Sequence, residues 1–118
     1  MDALYTQIQK YLNLGEEIPF EEFENYYKKV IDRFNEEADS FNEDELWKAL
    51  FISENVMSNA ESRAKETKGS KSKKYKKMAQ RLSLWAQNFT GRLGQMGYTK
   101  EEMNERFEKM FDDYENES

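Results

Sequence analysis

The chain contains no cysteine and no histidine. The first absence removes disulfides and thiolate chemistry, and the two together remove the usual ligand sets of zinc, haem and non-haem iron. The commonest general base is gone with histidine, and no cofactor is expected. Isoleucine and valine number only six in 118 residues, which leaves strands little to build on. There is one proline. The longest uncharged apolar stretch, "ALFIS" at 49–53, is far too short to span a bilayer, and no basic start leads into an apolar run of signal-peptide length. These absences predict a cytoplasmic protein with no membrane partner. Lysine exceeds arginine 13 to 5, the bias of a low-G+C genome.

What is present is aromatic and charged. The 17 Phe, Tyr and Trp residues outnumber the 14 Leu, Ile and Val, so the core must be built from rings, with six methionines filling the gaps between them. Charged residues make up 36% of the chain, but their signs nearly cancel, to a net charge of -6, and the rings supply enough buriable surface to argue against global disorder. A chain of 118 residues is about one domain long.

The apolar spacing predicts an all-α fold, a single up-and-down bundle of four to five helices. A short N-terminal helix over about 2–13 carries Leu4, Ile8, Tyr11 and Leu12 inward. Pro19 sits at a helix start, where its missing N–H costs nothing. After it Phe20, Phe23, Tyr27, Val30 and Phe34 recur at steps of three and four, giving a helix over about 19–39. Asn42 with Glu45 forms a capping box for a helix over about 43–66, with Leu46, Trp47, Leu50, Phe51, Met57, Ala60 and Ala64 as inward candidates. "KGSKSK" reads as a loop before a third long helix over about 72–96, striped by Tyr75, Met78, Ala79, Leu82, Trp85, Ala86, Phe89, Leu93 and Met96. Gly91 and Gly94 either permit close contact with a neighbouring helix or end this one early. Gly97 suits a left-handed helix end, and Thr99 with Glu102 caps a last helix over about 100–114 that bears Met103, Phe107, Met110, Phe111 and Tyr114.

One stretch departs from the rest in charge. Between Arg63 and Arg81 stand nine basic residues and one acid, which leaves the remainder of the chain at -14. Lys68, Lys71, Lys73, Lys74, Lys76, Lys77 and Arg81 are the candidates for binding an anion or a partner. A solvated loop accounts for lysines of this kind, but not for their position. A helix N-terminus carries a partial positive charge, so lysines in a first turn are unfavourable by ~0.3 to 1 kcal/mol each, whereas exposed N–H groups and lysines together suit a phosphate or carboxylate.

Three functional readings follow. The first is a non-enzymatic helical bundle that binds another macromolecule as an accessory, inhibitor or assembly factor, with a protein as the partner and a homo-oligomer as a further form. The second is a nucleic-acid-associated accessory protein that uses the lysine-rich 65–81 strip without sequence specificity. Sequence-specific groove reading is disfavoured, since the helix after the turn at Gly97 and Thr99 carries Glu101, Glu102, Glu105, Glu108, Asp112 and Asp113, which phosphates repel. The third is a carboxylate-metal nucleotide hydrolase. "EEAD" (36–39) and "EDEL" (43–46) have some resemblance to the paired ExxE and ExxD motifs of the all-helical nucleotide pyrophosphohydrolases. The second pair of that family is lacking, because Glu108 and Asp112 stand four apart instead of three. No catalytic or metal-ligating residue is assigned.

Overall fold

Ala49, Leu50, Phe51, Ile52 and Ser53 are five consecutive buried residues on one helix. Consecutive helical residues point 100° apart, so a run of five leaves no face for water. The computed structural model, which describes residues 1–14 and 16–117 and side chains as far as Asp112, meets that demand by placing this helix at the centre of an all-α bundle. The elements are α1 (Asp2–Leu12), α2 (Phe20–Glu37), a 3-10 turn (Ala38–Ser40), α3 (Glu43–Glu66), α4 (Gly69–Gln95) and α5 (Lys100–Glu117), with no strand among the described residues. Tyr114 lies outside the described side chains.

The most extensive pairing is the antiparallel α3–α4 hairpin. Small buried residues on both helices, Ala49, Ser53, Ala60 and Ala64 on α3 with Ala79 and Ala86 on α4, suit a close approach of the two backbones. The other helices reach α3 and α4 through rings. On α2, Phe34 packs edge-on against Phe89 (5.0 Å) and tilted against Trp85 (5.5 Å). From α1, Tyr5 meets Phe51 at 5.4 Å, while α5 brings Phe107 and Phe111 to the same ring at 6.1 and 4.8 Å. Tyr26 and Tyr27 are both buried, and the Tyr26 hydroxyl donates 2.7 Å to the Leu4 carbonyl, which fastens α1 to α2.

Local signals fix the helix ends. The Glu45 backbone N–H donates to Asn42 Oδ1 (2.9 Å) and the Asn42 N–H to Glu45 Oε1 (3.1 Å), while Thr99 and Glu102 exchange the equivalent pair. Gly97 takes φ +105°, a conformation open to glycine at little cost. Two expectations are corrected. The stretch "KGSKSK" (68–73) is not a loop beyond Lys68: α4 starts at Gly69 instead of about 72, and α3 and α4 are joined by Thr67 and Lys68 alone, with Gly69 at φ +66° making the turn. Gly91 and Gly94 neither end α4 nor admit a neighbour, for a Cβ at either position would meet nothing within 4 Å.

Phe34 and Leu82 are almost wholly enclosed. Replacing either by Ala should cost ~2 to 5 kcal/mol in chemical denaturation, and a loss below about half a kcal/mol would exclude that residue from the core.

Candidate functional site

The basic stretch does not form one surface. Arg63, its first member, is 1% exposed. Its Nε–H donates 2.6 Å to Asn59 Oδ1 and its Nη2–H 2.9 Å to the Ile18 carbonyl, and the guanidinium carbon lies 4.7 and 4.5 Å from the ring centres of Phe20 and Phe23. No carboxylate pairs with it among the described residues. Arg63 is a buried pin that joins the end of α3 to the start of α2, and hydrogen bonds to neutral acceptors together with two aromatic rings take the place of water.

The seven candidates diverge because α4 is already helical at Gly69, and helical positions one or two apart face different ways. Lys68 is exposed at the turn. Lys71 lays its ammonium 4.3 Å from the centre of the Phe20 ring. Lys74 pairs with Glu24 of α2, whose carboxylate also accepts from the Tyr75 hydroxyl at 3.4 Å. Lys76 turns to another flank, beside Lys65, Glu61 and Met57. What remains together is a groove of about 420 Å³ between α2 and α4, lined by Tyr27, Ser70, Lys73, Lys74, Lys77, Met78 and Arg81. Lys73, Lys77 and Arg81 follow one another at single-turn intervals, about 6 Å of helix rise each. All three are exposed and form no ion pair among the described residues.

The electrostatics of this end differ from those of an isolated helix start. α4 has no acid in its first turn and no side-chain cap, whereas α2, α3 and α5 each begin with at least two acids. In the hairpin, however, the C-terminus of α3 lies beside the N-terminus of α4. The Ser72 hydroxyl donates 2.8 Å to the Ala64 carbonyl across that junction. The negative end of one dipole therefore sits against the positive end of the other, which lowers the cost of lysines there. Burial pushes the Tyr27 hydroxyl above its ordinary value, with Arg81 opposing the shift. The hydrogen bond from Lys74 holds the Glu24 carboxyl below the ordinary carboxylate range.

Among the described residues no three acidic side chains converge as a metal site would require, and no helix is long and apolar enough to cross a membrane. Comparison with protein-family models, curated proteins and solved structures found no match.

Two members of the same basic stretch should respond differently to truncation. Arg63→Ala leaves the Ile18 carbonyl and Asn59 Oδ1 without their donor and opens a cavity, so it should cost about 3 kcal/mol or more, while Lys73→Ala should stay within about 0.5 kcal/mol. Equal costs in urea titration would contradict this division. The Lys74–Glu24 pair adds a pH signature. Because the folded-state value of Glu24 is depressed, its contribution to stability is present above the ordinary glutamate range near about 4.3 and is lost as pH falls through the folded value. Lys74→Gln should therefore lower Tm at neutral pH, with the gap to wild type closing in acid, and a pH-independent gap would disprove the assignment.

Proposed function

We propose that this protein is a non-enzymatic binding module that docks an acidic surface of a protein partner on the groove between α2 and α4. The observation that carries the reading is the row of Lys73, Lys77 and Arg81, three exposed cations one turn apart, without intramolecular counter-ions among the described residues, in a chain of net charge -6. A partner helix with carboxylates four residues apart repeats at the same interval, so each cation could meet one acid. Met78 at the groove floor and the Tyr27 ring offer the apolar contact that a protein surface uses and a bare polyanion does not. The rest of the chain carries -14 and would repel a long nucleic acid that extended past the groove.

The informative variant is the triple change of Lys73, Lys77 and Arg81 to Gln, because Lys71 and Lys74 are tied to Phe20 and Glu24. In a pull-down from the native host, the wild type should retain a partner that the triple variant loses. The loss should appear mainly as slower association and a flatter salt dependence, since exposed charges steer encounter. Equal retention and equal salt dependence would overturn the reading. Salt-sensitive binding of duplex DNA, with a log-log slope that falls by roughly 0.9 per lost contact, would transfer the groove to the nucleic-acid alternative. Magnesium-dependent nucleotide hydrolysis would restore the carboxylate-metal alternative.

A further inference from the structure

A separate cavity of about 320 Å³ opens between α1, the segment leading into α2, and the middle of α3. Ile8, Leu12, Ile18 and Val56 are among its apolar walls, and Asn55 and Asn59, one turn apart on α3, also line it. The amide orientations of both asparagines are dictated by their neighbours. Asn59 accepts from Arg63 Nε–H at 2.6 Å, and a guanidinium only donates, so Oδ1 must face Arg63 and Nδ2 must face away. Asn55 lies 2.8 Å from the Phe51 carbonyl, which only accepts, so its Nδ2 is used there and its Oδ1 is left over. The remaining donor, Asn59 Nδ2, and the remaining acceptor, Asn55 Oδ1, have no partner among the described residues.

We infer that this cavity binds an extended polypeptide segment through one large apolar side chain and the backbone of that same residue. In an extended chain the N–H and C=O of a residue point to the same side, which is how paired strands exchange two hydrogen bonds at one residue. Here the N–H would donate to Asn55 Oδ1 and the C=O would accept from Asn59 Nδ2, while the side chain fills the apolar part. The volume is at the small end of ligand sites and accommodates one large side chain. Glu16 and Glu17 at the rim are exposed and favour neutral or basic flanking residues. The inference goes beyond the cationic groove and does not depend on it. Arg63 acquires a second role as a positioning residue, since its hydrogen bond to Oδ1 fixes which end of the Asn59 amide is left to donate.

The test titrates N-acetyl-phenylalanine methylamide, which presents one residue with both backbone groups, into the full-length ¹⁵N-labelled protein. Saturable shifts are expected at the Asn55 and Asn59 side-chain amides and at the Ile8 and Val56 backbone amides. Asn59→Asp keeps an acceptor for Arg63 but removes the donor, so the fold should persist and binding should weaken roughly tenfold. Leu12→Trp, a change at an exposed wall residue, should block the cavity and abolish the shifts. A pentapeptide with the same phenylalanine flanked by alanines should bind at least as tightly as the single residue. The inference is overturned by absence of these shifts at the solubility limit of the probe, by equal affinity of Asn59→Asp and wild type, by benzene binding as tightly as the amide probe, or by exclusion of the pentapeptide.

Discussion

Everything in this bundle is arranged around the need to cover α3 on all sides. Ala49 to Ser53 have no water-facing direction, so each neighbour must present an apolar face to the same helix. The small residues of the α3–α4 hairpin allow one neighbour to come close. The other sides are filled by rings, with Phe51 receiving Tyr5, Phe107 and Phe111 from two different helices. A chain with few branched aliphatics can close its core in this way because each aromatic spans a gap that would otherwise take two smaller side chains.

The second constraint is polar. A fully buried arginine is costly unless its donors are satisfied, and Arg63 is satisfied by the Ile18 carbonyl, by Asn59 and by the faces of Phe20 and Phe23. These partners come from the approach to α2, from α2 itself and from α3, so the side chain specifies how the corner assembles. The same corner gathers Tyr75, Glu24, Lys74 and Lys71 at the start of α4. Two of the lysines that read as anomalous charge at a helix start, Lys71 and Lys74, are therefore held in structural contacts, and the neighbouring C-terminus of α3 lowers the dipole penalty at this end.

With those residues accounted for, the charge asymmetry becomes more specific. On the proposed reading, a cationic row on one face of a chain of net charge -6 would orient an encounter before short-range contacts form. The cavity beside Asn55 and Asn59 differs in kind, since it is half apolar and hydrogen-bonding, with geometry set by fixed amides. Steering and grip would then reside in different parts of the molecule.

The sequence by itself determined the helices, because their signals are local. The Asn42–Glu45 and Thr99–Glu102 boxes act over three residues, and the stripes through Phe34 and Leu82 need only helical periodicity to be read. Stripe ends were less legible: Leu12 and Met96 fit the spacing yet are 42% and 49% exposed, since periodicity does not say where a neighbouring helix stops. The candidate site was legible as a charge excess but not as a surface. The length of the α3–α4 turn decides the phase of α4, and that phase sends Lys76 to one flank and Lys73, Lys77 and Arg81 to another. The burial of Arg63 depends on a carbonyl 45 residues away in sequence, and the free ends of Asn55 and Asn59 depend on which neighbour takes the other end of each amide. Only the tertiary structure could decide these, because a charge or an amide is given its role by the partner that packing brings to it.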